Sequence, residues 1–285
     1  MNNDNQIKDL VKEKYSAIAG QQREKNLSSC CGATESCNDD LYNIMSDDYS
    51  KLEGYNPDAD LGLGCGLPTE FAQIKKGDTV IDLGSGAGND VFIARRIVGE
   101  NGNVIGIDFT EKMIERAREN AIKLGYHNVE FRHGDIESMP VFSNKADVVV
   151  SNCVLNLVPN KHKAFSEIFR VLKPGGHFSI SDIVITGEAL PEKWRQVAEL
   201  YAGCVAGAIQ KKEYVDIIKE AGFENITLQK EKMIVLPEEI LKNYLSQDEI
   251  NTYKKGETRI ESITVFAKKP AKDERKCCDP GSTCC

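Results

Sequence analysis

Residues 79–91 read TVIDLGSGAGNDV, and this stretch restricts the fold more tightly than any other. A largely apolar run over residues 80–83 ends in three alternating glycines, Gly84, Gly86 and Gly88, and then Val91, Phe92, Ala94, Arg95 and Val98 follow at helical spacing. The pattern predicts a strand, a tight turn and a helix. The glycines, with Ser85 among them, let backbone approach a ligand closely, and the helix N-terminus aims unpaired N–H groups at it. A dinucleotide fingerprint requires G-x-G-x-x-G, but position 89 is Asn89, and Asp82 stands two residues before the first glycine. A carboxylate there repels a pyrophosphate and accepts a hydrogen bond from an ammonium group. With Asp108 at the end of the next apolar run, NVIGID, the pattern favours a cationic nucleoside such as S-adenosylmethionine.

The chain has 285 residues and a net charge of -8, so it can bury a sizeable core but offers no positive field for nucleic acid. A small-molecule substrate is the expectation. The N-terminal MNNDNQIKDL lacks an apolar leader core, and no run is long enough to span a membrane, which predicts a cytosolic chain without a membrane partner. Its ten cysteines are then expected to be reduced, which turns attention to metal, metalloid or redox chemistry.

Ile7, Leu10, Val11, Tyr15 and Ile18 form a helical stripe suited to packing on the main domain. Cys30, Cys31 and Cys37 follow in a polar segment, and Leu41, Ile44, Met45 and Tyr49 suggest a short helix in which Tyr49 meets either a cofactor or the core. From residue 79 strands and helices alternate: NVIGID, a helix capped by Thr110 and carrying Met113, NVEFRHGD to Asp135, ADVVVSN to Asn152, a helix stopped by Pro174, and HFSISDIVI. This is a doubly wound α/β sheet. Its ligands belong at the carboxyl ends of the strands, where Asp82, Gly84, Asp108, Asp135, Asn152 and Cys153 fall. Asp108, twenty residues beyond Gly88, has the spacing of an acid that bonds ribose hydroxyls, with Phe109 following it. Asp135 either accepts from an adenine amino group, with Ile136 on the ring, or starts a turn. Further on, residues 191–207 and 211–221 read as helices. Residues 226–235 and 259–269 read as strands that either extend the sheet or form a cap, with a helical excursion over 237–245 between them.

Three cysteines stand apart from any C-x-x-C pair. Cys65 lies in the glycine-rich loop DLGLGCGLPT, Cys153 just past the fourth strand, and Cys204 in the later helical segment. They converge only through the fold, and each is either a core thiol or a ligand. A soft trivalent centre with a lone pair suits three thiolates, whereas an oxygen or nitrogen nucleophile needs a base. None of the four histidines sits in a loop motif suggesting a nucleophile or base.

GLGCGLPT, DLGSGAGNDVFIA, GIDFT, GDIESMPV, SNCVLNLVP, LKPGG, SDIV and YAGCVAGA together resemble the arsenite S-adenosylmethionine methyltransferase family over roughly residues 40–270. The resemblance implies a Rossmann-like class I methyltransferase sheet with a C-terminal α+β substrate-binding domain. It divides the chain into residues 1–180 for the arm and cofactor domain, 181–269 for the arsenic domain, and 270–285 as a cysteine-rich tail. It further implies As(III) bound by Cys65, Cys153 and Cys204, and methyl transfer from S-adenosylmethionine to arsenic. A thiol reductant such as glutathione or thioredoxin is implied, with Cys30, Cys31 or Cys37 joining the redox chemistry and Cys37 the candidate catalytic residue. The expected assembly is a monomer.

Overall fold

The computed structural model describes residues 3–20, 47–189, 207–235, 238–242 and 246–271. Residues 191–206 of the expected helix, the arm cysteines, Cys204 and residues 272–285 of the cysteine-rich tail lie outside the described residues. One seven-stranded sheet organises the rest, in the order β3-β2-β1-β4-β5-β7-β6. Its strands are β1 (Thr79–Leu83), β2 (Asn103–Asp108), β3 (Val129–His133), β4 (Ala146–Asn152), β5 (Leu172–Thr186), β6 (Glu224–Ile234) and β7 (Arg259–Lys268). The first five pair in parallel, and β7 runs antiparallel between β5 and β6.

Val80, Ile81, Leu83, Val104, Ile105, Ile107, Val148, Val149 and Val150 are wholly buried, as strands covered on both faces must be. Because side chains alternate, Ile81, Leu83, Ile105 and Ile107 join one apolar cluster with Phe165, Phe178 and Tyr214, while Val80, Val104, Val148 and Val150 join another with Val91, Phe92 and Ile114. The covering helices are α3 (Asn89–Val98), α4 (Glu111–Lys123), α5 (Lys161–Val171) and α6 (Lys211–Glu220), while α1 (Asn3–Ile18) lies against α4 and α2 (Pro68–Phe71) is a single turn before β1. No helix among the described residues is long and apolar enough to cross a membrane.

The two late strands extend the sheet instead of forming a separate cap. β6 alternates in exposure and carries Lys230, Glu231 and Lys232, charges that suit an edge strand. Three local expectations are corrected. β5 starts at Leu172, so the Pro-Gly-Gly run is an irregularity within the strand and not a stop before it; the register jumps between Ala146 opposite Leu172 and Val148 opposite His177. β3 ends at His133, and Asp135 belongs to the following turn. Thr110 holds the N-cap position of α4 without a side-chain cap hydrogen bond. Residues 238–242 are helical (α7, Glu238–Lys242), and a further helix, α8 (Gln247–Lys255), opens on a capping box of Ser246 and Glu249.

Candidate active site

Parallel register sets Asp82 beside Gly106 on β2 and Val150 on β4, so β1, β2 and β4 end together. Above those ends lies a cavity of about 1120 Å³, mouth included. It is lined by Tyr49, Asp82, Gly84, Ser85, Gly86, Asp108, Phe109, Thr110, Met113, Asp135, Ile136, Asn152 and Cys153, all singled out from sequence. Gly88 is not among the lining residues. It holds the N-cap of α3 at φ 101, where a Cβ would stand 2.8 Å from the Phe92 ring and 3.0 Å from that of Phe131, so this glycine serves helix-to-sheet packing.

Lys8, Asp60 and Asp90, which carry no such signal in the sequence, also line the cavity, as do Tyr15 of the helical stripe and Asn89 after the glycine turn. Asp90 lies in the first turn of α3, where an acid reads as a partner of the helix dipole. The fold instead buries it. Its Oδ2 accepts from the Tyr49 hydroxyl at 2.9 Å, and its Oδ1 accepts from Thr69 at 3.2 Å. Burial pushes the Asp90 carboxyl up to about 6, against the pull of the Tyr49, Asn152 and Thr69 hydrogen bonds. Burial raises Asp82 well above the carboxylate range, and the nearby Asp90 and Asp108 raise it further. Asp108 is raised by burial, while the Thr110 and Gly86 N–H groups, 2.8 and 3.0 Å from its oxygens, hold the shift back.

The burial of Asp82, Asp90 and Asp108 in one region, with Asp90 and Asp108 both acting on Asp82, favours a cation as ligand. Two further acceptors in the lining, Ser85 Oγ and Asn89 Oδ1, are buried without a hydrogen-bond partner among the described residues. At Gly86, with φ 50, a Cβ would meet nothing within 4 Å, so the backbone there borders open space. These features fit S-adenosylmethionine, whose ammonium and sulfonium are cationic and whose ribose hydroxyls donate. Asp108→Ala should weaken cofactor binding by roughly 1.5–3 kcal/mol, the range for hydrogen bonds to a charged group. Calorimetry checks this, and unchanged affinity would remove Asp108 from any ribose contact.

Asp135 has a partner that sequence did not reveal. Lys8 on α1 donates to its Oδ2 at 2.7 Å and to Glu137 Oε2 at 2.5 Å, while Asp135 Oδ1 accepts the Glu137 N–H at 2.9 Å. The carboxylate thus starts a turn and fastens α1 over one end of the cavity. Tyr49 packs against Leu67 and Ile93, the core alternative, and it also lines the cavity.

Cys65 and Cys153 are 1% and 4% exposed and share one buried cluster with Ile183, Ile185 and Ala208. Cys153 follows β4 at φ 60, a left-handed conformation that is uncommon for a residue with a Cβ, and its N–H donates to Ser181 O at 2.8 Å. It lines the cavity directly. Cys65 does not, but its neighbour Gly64 does. Cys204 and Cys37 lie outside the described residues.

Residues 74–222 match the family described as a methyltransferase domain. Over 279 residues the chain is 37% identical to an arsenite methyltransferase of Halobacterium salinarum, covering 94% of this chain and 68% of that protein. It is 39% identical over 169 residues to the human arsenite methyltransferase, covering 56% of this chain and 44% of the human one, so it spans less than half of that enzyme's length. The crystal structure of an arsenic(III) S-adenosylmethionine methyltransferase from Chlamydomonas reinhardtii aligns with a TM-score of 0.61 at 34% identity, covering 73% of this chain and 68% of the algal one. A likeness to the Halobacterium salinarum protein over nearly the whole of this chain and a methyltransferase domain over residues 74–222 lead to one conclusion: the chain belongs to the arsenite methyltransferase family of S-adenosylmethionine-dependent enzymes.

Proposed function

We propose that this protein transfers the methyl group of S-adenosylmethionine to trivalent arsenic, arsenite or methylarsenite, held by the thiolates of Cys65, Cys153 and Cys204, and thereby serves arsenic detoxification. The observation that carries this reading is the double position of Cys153, which faces the cofactor cavity and shares a buried apolar cluster with Cys65. Ala208 belongs to the same cluster. Cys204 precedes it by four residues, a chain reach of at most about 14 Å, which supports a third thiol arriving there.

The cofactor supplies an electrophilic methyl on a sulfonium. The acids Asp82, Asp90 and Asp108 bind its positive charge and its donors. Cys65 and Cys153 hold the arsenic, and the surrounding Ile183, Ile185 and Ile260 keep water away from it. Soft sulfur ligands leave the arsenic lone pair available. That pair forms the arsenic–carbon bond, the sulfur–carbon bond breaks with its electrons staying on sulfur, and S-adenosylhomocysteine leaves. The nucleophile carries no proton, so no base is required and the catalysis is mainly positioning. Arsenic is formally oxidised by two electrons, so a thiol reductant, glutathione or thioredoxin, returns it to the trivalent state as two thiols become a disulfide, with Cys30, Cys31 or Cys37 of the arm in the exchange. In the same reading the enzyme is a cytoplasmic monomer, with residues 1–180 serving the cofactor, 181–269 the arsenic and 270–285 a tail that takes no part in the transfer.

The test is turnover of reduced protein with S-adenosylmethionine and a thiol, with and without As(III), following S-adenosylhomocysteine and arsenic species together. Product that requires As(III) and contains methylated arsenic is expected. Equal S-adenosylhomocysteine formation without As(III) would overturn the substrate assignment.

A further inference from the structure

The glycines on either side of Cys65 do more than loosen a loop. A Cβ at Gly64 would stand 2.5 Å from Asn152 Nδ2, and one at Gly66 would stand 2.4 Å from Ser181 Oγ. The Cys65 loop therefore lies directly on the end of β4 and on β5 at Ser181, the residue that pairs with Asn152. Polar contacts hold it there. Asn152 Oδ1 accepts the Cys65 N–H at 3.0 Å, and Asn152 Nδ2 donates to Gly66 O at 2.9 Å. From the other side, the Ser262 hydroxyl on β7 donates to Cys65 O at 2.6 Å. Ser262 is 5% exposed, so this carbonyl has little water to turn to if the hydroxyl is removed.

We propose that Asn152 and Ser262 are positioning residues for Cys65: they grip its N–H and its C=O from β4 and from β7 and thereby set where its thiol stands relative to Cys153. The assignment rests on the reading of Cys65 and Cys153 as arsenic ligands. Its physical basis is that a centre bound by several thiolates gains from each further ligand only if that ligand is already in place. Asn152 is also continuous with Cys153, so one residue spaces both thiols. Ser262 lies on the antiparallel strand next to β5, outside the 74–222 span matched to the methyltransferase domain, so the outer part of the sheet reaches the chemistry through this contact.

The experiment uses the reduced full-length chain, with As(III) titrated through the ultraviolet absorption of arsenic–thiolate bonds, cofactor affinity read by calorimetry and folding read by thermal unfolding. Ser262→Ala should weaken As(III) binding at least about tenfold, with cofactor affinity changed by less than about twofold. Ser262→Thr, which keeps the hydroxyl, should restore As(III) binding. A merely structural role for Ser262 would lower the unfolding temperature and both affinities together. A folded Ser262→Ala protein that binds As(III) like the wild type overturns the positioning role. Asn152→Asp provides a second route if Ser262→Ala does not fold. It keeps the acceptor for the Cys65 N–H and loses the donor to Gly66, so As(III) binding should again weaken, and wild-type binding would again overturn the proposal. Cys65→Ala separates the two readings. Wild-type As(III) affinity in Cys65→Ala overturns the ligand reading itself, whereas loss there with no change in Ser262→Ala overturns the positioning role alone.

Discussion

Cys153→Ala is expected to reduce arsenite-dependent turnover at least about a hundredfold while leaving S-adenosylmethionine affinity within a few-fold of wild type. The split follows from where the residue stands. Its sulfur is proposed to hold the nucleophile, and carboxylates on β1, β2 and α3 are proposed to meet the cofactor's charge. Cys153→Gly provides an internal control, because residue 153 sits at φ 60. Glycine adopts that conformation without strain and alanine does not, so the glycine variant should be more stable than the alanine variant by about 1 kcal/mol and equally inactive. Steady-state kinetics, calorimetry and thermal unfolding on the pair check this. Turnover surviving in either variant, or cofactor binding lost in both, would make Cys153 a structural thiol.

Asp82→Asn is expected to move cofactor affinity and ligand-free stability in opposite directions. Removing one partner of a buried charge pair costs about 3 kcal/mol or more, so affinity for S-adenosylmethionine should fall more than a hundredfold. Without ligand, however, the wild-type carboxylate is buried against Asp90 and Asp108, and its pKa is well above the ordinary 3.8. A folded-state pKa above the unfolded value means that the folded protein retains protons the unfolded chain has released. Stability is therefore highest at low pH and falls as pH rises from about 4 through the folded-state value. For Asp90 that window runs from 3.8 to about 6. Asp182, buried on β5 and pushed up to about 7 by burial against the pull of Lys161, adds a slope of the same sign that is common to both proteins. The ligand-free Asp82→Asn protein should thus melt above wild type at pH 7, and the difference should shrink toward pH 4. Saturating wild type with cofactor should flatten the part of the slope due to Asp82 and Asp90, since a bound cation favours their ionised forms. Thermal unfolding from pH 4 to 8, with and without cofactor, checks the sign. A lower melting point at pH 7 together with unchanged cofactor affinity would contradict the electrostatic account.

Much of this architecture was legible because local rules and the fold agree. The run at residues 80–83 and its glycines specify a strand, turn and helix whatever surrounds them, and successive repeats of that unit specify a parallel sheet. With the sheet comes the end at which ligands bind, which is why Asp82, Asp108 and Asn152 could be assigned to one site in advance. The capping box that opens α8 was also present, as Ser246 and Glu249, yet the helix went unread because its apolar positions are few. Other features have no local signal. The Lys8–Asp135 pair joins residues 127 apart, and Asp90 looks like any acid in a first helical turn until α3 is docked on the sheet.

The residue order alone thus settled the parallel part of the sheet and the glycine turn that follows its first strand, since each depends on periodicity or on spacing within one unit. Tertiary structure decided the rest: that β6 and β7 extend the sheet, that Asp90 joins Asp82 and Asp108 in one buried acidic cluster, and that Asn152 and Ser262 bracket Cys65. Those outcomes depend on strand order and on contacts between residues far apart in the chain, and such contacts carry an energy only once the backbone has brought them together.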